Sequence, residues 1–207
     1  TAKLNSMAHK GNNGYLADIK YSNNPYDENS TATTPLSSVH DYSFAFYGKK
    51  INDKQQVLQG AEFELYREGK PIYLINSEGE EGINVYAIWE DQSNPSDKCT
   101  TTIVSGSKGE FRVIGLDANV KYSLKETNPP EGYNKLEEPI EFKFDATYDK
   151  NGNLKNIVTD NENVIRTYPN LNAVQTTIVG TTGEILPSTG GRGTKVFTFV
   201  GAALMIC

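Results

Sequence analysis

The sequence is poor in the residues that most often carry chemistry. It has two cysteines, two histidines, two methionines and one tryptophan in 207 residues. Cys99 lies in a polar stretch and Cys207 ends an apolar one, so a structural disulfide between them is not expected. His9 and His40 are isolated in polar segments, which argues against a metal site or a histidine-centred catalytic group. Lys and Arg form no run, and the formal net charge is −6. That argues against a nucleic-acid partner, which needs a basic footprint. No amphipathic helical stretch of useful length and no solenoid repeat is present. No Ser/His/Asp, Cys/His or paired-carboxylate constellation stands out, so the chain does not read as an enzyme, and no cofactor or metal is expected. The acidic group Asp145, Asp149, Asp160 and Glu162 lies near Asn151 and Asn153. It lacks the closing Glu of a twelve-residue calcium loop, and Asp149–Asn153 reads as a hairpin turn.

What the sequence does hold is tyrosine, glycine and short alternating segments. Twelve Tyr and eighteen Gly suit a β-rich domain with many turns. Residues 42–51 place Phe44, Phe46, Gly48 and Lys50 on one face by period two. Ala61, Phe63 and Leu65 share a face in the next strand. Further strands are predicted at 71–75, 83–89, 101–104, 109–113, 121–126, 138–145, 154–158 and 174–179, with a polar loop over 90–98. Turns are expected at 52–54 and 68–69. This spacing predicts an all-β sandwich over 41–183. Residues 1–29 look like the end of a preceding β domain, with one strand over 15–21, and 30–40 like a polar linker. The chain opens at Thr1 without Met or a signal-peptide pattern, and the apolar run Val196–Cys207 is about half of the ~20 residues that cross a bilayer. It therefore reads as cut at both ends.

Leu186-Pro187-Ser188-Thr189-Gly190 fits an LPxTG pattern within a Gly/Thr/Ser-rich segment. Gly191-Arg-Gly-Thr-Lys195 follows, then the apolar run over 196–207, read as a truncated transmembrane helix. Residues 184–195, with that apolar run behind them, resemble the cell-wall sorting signal of Gram-positive surface proteins. That resemblance implies attack by a sortase cysteine between Thr189 and Gly190 and resolution of the acyl-enzyme by an amine. The membrane would hold the chain only until that cut.

Residues 109–133 are the most informative stretch. Gly109, Phe111, Gly115 and Leu116 lead into Tyr122, Leu124, Glu126, Thr127, Pro130, Gly132 and Tyr133. Lys50-Ile51-Asn52 and Leu58, Gly60, Ala61, Phe63 and Leu65 precede them. This pattern resembles the Cna-B-type domain, a reverse immunoglobulin-like β-sandwich found at the C-terminus of many pilins. The resemblance covers roughly 41–190. It implies an isopeptide bond in which Lys50 is the donor, Glu126 the catalyst and an Asn of the last strand the acceptor. Burial favours the neutral forms of an amine and a carboxyl group. A neutral amine can attack a carboxamide while a protonated carboxyl shuttles the proton to departing ammonia. Closing a loop of more than a hundred residues would stabilise by about 5 kcal/mol.

The acceptor departs from the family pattern. Aligned back from LPSTG, Gly180 stands where the Asn is expected. Asn172 shares the alternation of Val174 and is the better substitute, with Asn170 second. Two other readings stay open. Lys50 and Glu126 form a plain buried ion pair, leaving Pro129–Gly132 as only a turn, or Lys50 reaches solvent at a strand end.

Tyr21-Ser-Asn-Asn-Pro25, a Thr-rich stretch, then Tyr42 and Phe44 resemble the junction between the middle and C-terminal domains of sortase-assembled major pilins. The function this implies is a pilus backbone subunit at the cell surface of a Gram-positive bacterium. Its partners would be sortase and, covalently, other pilin subunits and peptidoglycan. The alternative is a wall-anchored adhesin or minor pilin that binds a host surface ligand.

Overall fold

The computed structural model describes residues 11–12, 15–17, 20–22, 31–34, 37–39, 41–161, 165–168 and 172–182. Among them there is no α-helix, and the chain is all-β. The N-terminal region holds β1 (Gly11–Asn12), β2 (Tyr15–Ala17), β3 (Lys20–Ser22), β4 (Thr31–Thr33) and β5 (Ser37–Val39). β2 pairs antiparallel with β5, β3 with β4, and β1 with the first residues of the next strand. The segment expected as a linker over 30–40 thus contributes two paired strands. The strand expected over 15–21 is divided between β2 and β3. Backbone pairing decides both points, and a short polar segment gives no periodic sign of it.

The main body begins with β6 (Tyr42–Asn52) and β7 (Glu62–Arg67). β8 (Lys70–Pro71), β9 (Leu74–Ser77), β10 (Ile83–Ile88), β11 (Thr102–Val104) and β12 (Glu110–Leu116) follow. The last strands are β13 (Lys121–Asn128), β14 (Ile140–Tyr148), β15 (Leu154–Thr159), β16 (Ile165–Tyr168) and β17 (Ala173–Gly180). One sheet runs β16-β17-β6-β12-β10-β9, with β1 beside β6. The other runs β11-β7-β13-β14-β15, with β8 beside β7. Most pairs are antiparallel, but β10 runs parallel to β12, and β17 parallel to β6. β16 was not expected from the sequence, although Ile165-Arg-Thr-Tyr168 is a β-branched and aromatic run ended by Pro169.

The two sheets meet face to face through aromatic rings. Phe46 of the first sheet stacks on Phe142 of the second at 4.6 Å, Phe44 on Phe144 at 5.4 Å, and Phe63 packs against Phe111 at 5.0 Å. Ala61, Phe63, Leu65, Val113, Leu116, Tyr122 and Leu124 complete the interior, each at or near zero exposure. A fully buried Phe contributes about 1.5–3 kcal/mol relative to an exposed one. A one-residue slip of β6 would turn Phe44 and Phe46 outward together, so their burial locks its register. Everything else on that face, including Lys50, is carried inward with them.

Candidate functional site

Lys50 and Glu126 meet in this core. β6 brings Lys50 inward behind Phe46 and Gly48, and β13 brings Glu126 inward behind Tyr122 and Leu124. Gly48 makes room for the neighbouring ring. A β-carbon built there would lie 2.1 Å from Phe111 Cζ, so only glycine lets Phe111 cross the strand beside the lysine. Lys50 Nζ is 2.7 Å from Glu126 Oε1, and both side chains are fully inaccessible to solvent. Among the described residues, neither atom has a hydrogen-bond partner apart from the other. Lys50 Nζ also sits 6.0 Å from the centroid of Phe63. An amine and a carboxylate in such surroundings need each other. Removing water from one charge costs several kcal/mol, which only a close opposite charge offsets.

The segment between β13 and β14 closes the site. Leu136 N–H donates to Glu126 Oε2 at 2.9 Å, holding the carboxyl in place from above. Asn134 N–H donates to the Thr181 carbonyl at 2.8 Å, which ties the same segment to the end of β17. Asn52 Nδ2 donates to Tyr133 OH at 3.3 Å and to Gln56 Oε1 at 2.9 Å. Asn52 Oδ1 accepts from the backbone of Lys54 and Gln56 and shapes the turn after β6. Pro129–Gly132 is therefore more than a turn. It delivers Tyr133–Leu136 as a strap over the buried pair. Sequence reasoning singled out Glu126 in this motif and missed the strap, whose hydrogen bonds come mostly from the backbone.

Gly180 lies at the same place from the other side. β17 pairs with β6 in register from Ala173 opposite Ala45 to Gly180 opposite Asn52, with Ile178 opposite Lys50. A β-carbon built on Gly180 would sit 3.4 Å from Lys50 Cε, 3.0 Å from Leu58 Cδ1 and 3.1 Å from Tyr133 Cδ1. A side chain at 180 would thus project into the space beside the lysine head, and glycine has none to project. Asn172 does not supply the deficit. It precedes Ala173, so it lies six residues from Ile178 along β17, about 20 Å at the usual strand rise. That exceeds the joint reach of a lysine and an asparagine side chain. Asn172 has a left-handed backbone (φ 46°), and its carbonyl accepts from Ala45 N–H at 2.9 Å. The expected transfer from Asn172 to Lys50 would have to span that distance. Asn170 lies outside the described residues, as do His9, His40 and the whole of Leu186–Gly190.

The far end of the domain carries a second polar cluster. Tyr122 OH accepts from Arg67 Nη2 at 3.1 Å and from Asp117 N–H at 2.9 Å, and Arg67 also pairs with Asp117. Burial pushes the Tyr122 hydroxyl above its ordinary pKa, with the Arg67 guanidinium and the Asp117 amide acting in the opposite sense. Asp149 closes the β14–β15 hairpin as read. Its Oδ1 accepts from Asn151 and Asn153 N–H, and its Oδ2 from Asn153 Nδ2. The Asn153 contacts, side chain first and backbone second, hold the Asp149 carboxyl below its ordinary pKa. Among the described residues no group of acidic, His or Cys side chains is arranged to hold a metal ion.

Two facing sheets, the parallel β6–β17 pair and a buried Lys–Glu pair under a strap define a prealbumin-like all-β domain. The family model described as SpaA, prealbumin-like fold domain, matches residues 45–163. The chain belongs to that family. No curated protein matches its sequence. Among solved structures it is similar to the shaft pilin SpaA from Lactobacillus rhamnosus GG, at 20% identity and a TM-score of 0.44, over 76% of this chain and 59% of that one. It is also similar to the group B streptococcus pilus 2b backbone protein, at 21% identity and 0.49, over 89% and 57%. BcpA, the major pilin subunit of Bacillus cereus, aligns at 17% identity and 0.39, over 68% and 29%. The chain thus spans about three fifths or less of the length of these proteins.

Proposed function

We propose that the chain is the C-terminal portion of a structural subunit of a Gram-positive surface pilus. Sortase cuts it between Thr189 and Gly190 and joins it through Thr189 to another subunit or to peptidoglycan. One observation carries the proposal. The SpaA-type match covers residues 45–163, β17 joins the same sandwich and runs to Gly180, and six residues later the sequence reads Leu186-Pro187-Ser188-Thr189-Gly190. In the sequence the motif therefore comes shortly after the last strand among the described residues. A sortase cysteine thiolate attacks the Thr189 carbonyl, the Thr189–Gly190 peptide bond breaks, and the Gly190 amine leaves with the apolar tail. An amine of the next subunit then takes the Thr189 acyl group and frees the enzyme.

An internal Lys–Asn bond is not part of this proposal for the SpaA-type domain. What supports leaving it out is that Gly180 stands at the expected acceptor position and that Asn172 lies about 20 Å from Ile178 along the strand. We read Lys50 and Glu126 as an ion pair that specifies how β6 and β13 meet.

The test is expression of the complete protein in a sortase-bearing Gram-positive host, followed by denaturing electrophoresis of the wall fraction. A ladder of high-molecular-weight species is expected, and Thr189→Ala should collapse it to unprocessed monomer. A single wall-bound band from the unaltered protein would overturn the polymer and leave a monomeric anchored protein.

A further inference from the structure

The pairing of β6 with β17 has a mechanical consequence that depends only on strand direction. The chain enters the sandwich at the Tyr42 end of β6 and leaves it at the Gly180 end of β17. These strands are adjacent and parallel, with eight residue pairs in register. The entry and exit points therefore lie at opposite ends of one ladder. Tension between them slides the strands past each other and loads every hydrogen bond of the ladder at once. Tension applied at one end of a ladder would instead open the bonds one by one.

We infer that β6 and β17 form a shear clamp, and that this domain resists tension up to the strength of that clamp and then releases its length. Three features support the clamp. β6 is bonded on its other edge to β12, from Glu110 opposite Lys49 to Leu116 opposite Phe44, so it is held within the sheet when pulled. The exit of β17 is tied down by Asn134 N–H on the Thr181 carbonyl. Ile178 and Val174 are buried on the core face of β17, so sliding also drags apolar surface out of the interior.

The release follows from where the charged pair sits. Lys50 and Glu126 join β6 to β13 in the opposite sheet. They do not join β6 to β17, so the pair leaves the load path uncrossed. Gly180 has no side chain with which to cross it. Once the ladder shears, nothing covalent holds Lys50 near Gly180, and the residues between them are free to extend. At about 3.5 Å per extended residue, handles at residues 41 and 182 should separate by roughly 450 Å beyond their folded spacing. The use of such a device, yielding under a load that a rigid subunit would pass on, rests on the pilus reading above. The behaviour itself does not, and pulling on the isolated chain separates the two.

The experiment is single-molecule pulling on the full chain, with Cys99→Ser and Cys207→Ser to remove native thiols. Handles attached through Asp41→Cys and Thr182→Cys load the clamp in shear. Handles through Asp41→Cys and Asn172→Cys load it from one end, because Asn172 directly precedes Ala173, which lies opposite Ala45. Handles fused to the two chain termini, without these cysteines, provide an unsubstituted check on the length gain. The expected result is one dominant rupture with a gain of roughly 450 Å in the first geometry, at a force several-fold above that of the second. Equal rupture forces in the two geometries would overturn the clamp. A shear trace in which residues 50–180 release no length would overturn the yielding, since only a covalent tie holds that loop closed.

Discussion

Gly180 lies diagonally across the β6–β17 ladder from Lys50, and a β-carbon on it would stand 3.4 Å from Lys50 Cε. The amine has its carboxyl partner at 2.7 Å, and the residue facing it across the ladder is Ile178. The domain is thus assembled around a Lys–Glu pair with a glycine, not a carboxamide, at position 180 beside it.

The first expected consequence is chemical. Intact-mass measurement of the folded SpaA-type domain should return the mass of the unmodified sequence. Loss of one ammonia would mean that Lys50 found an acceptor after all, and would refute the ion-pair reading. Gly180→Asn should place a carboxamide beside the amine, at the cost of small shifts in the Leu58 and Tyr133 side chains. Lys50 Nζ would then attack the introduced carbonyl carbon, the carbon–nitrogen bond of the amide would break, and ammonia would leave. The variant should lose one ammonia in mass, and adding Glu126→Ala should abolish that loss.

The second concerns the pair as a source of stability. Lys50→Met leaves the Glu126 carboxylate buried without its counter-charge, and Glu126→Gln does the same to the lysine. Each should cost about 3–5 kcal/mol in denaturant unfolding. The double change Lys50→Met with Glu126→Leu should cost clearly less than the two single losses summed. Additive losses would show that the two side chains do not act as a pair.

Tyr122 gives the fold an alkaline limit. Burial raises its pKa above the ordinary value of about 10. A raised folded-state pKa means stability that is complete below the ordinary value and lost as pH rises through the folded one. Stability measured from roughly pH 8 to 12 should therefore fall at the upper end. Tyr122→Phe should lose about 0.5–1.5 kcal/mol at neutral pH, because it removes the hydroxyl that accepts from Asp117 N–H and Arg67 Nη2. It should also flatten the alkaline decline, and an unchanged decline would assign that loss to other tyrosines.

Gly48 tests the packing beside the pair. Its missing side chain is occupied by the Phe111 ring, with Cζ, Cε1 and Cε2 at 2.1, 2.4 and 2.6 Å from where a β-carbon would be. Gly48→Ala should destabilise by about 1–3 kcal/mol or more through overpacking. Combining it with Phe111→Leu should recover part of the loss, and a combination as costly as the two changes added would show that the ring is not the obstacle.

Much of the fold was legible because aromatic and β-branched residues alternate clearly. Phe44, Phe46 and Lys50 on β6, and Tyr122, Leu124 and Glu126 on β13, faced inward as period two implied. β16 and the paired strands β4 and β5 were not legible. Each is short, and hydrogen bonding to a partner strand, not its own pattern, makes it a strand. The strap over 133–136 escaped for the same reason, since backbone groups make its key contacts with Glu126 and Thr181.

The sequence alone determined the inward row of β6, the Glu126-bearing strand, the glycine at 180 and the LPSTG motif beyond it. These depend on residue type and local spacing, which a linear chain displays in full. Only the tertiary structure decided that Lys50 Nζ comes within 2.7 Å of Glu126, that Asn172 is six strand positions away from the lysine's partner, and that β6 and β17 run parallel. Such facts belong to register and strand direction. They are set when two sheets bury their aromatic faces together, and no segment read by itself contains them.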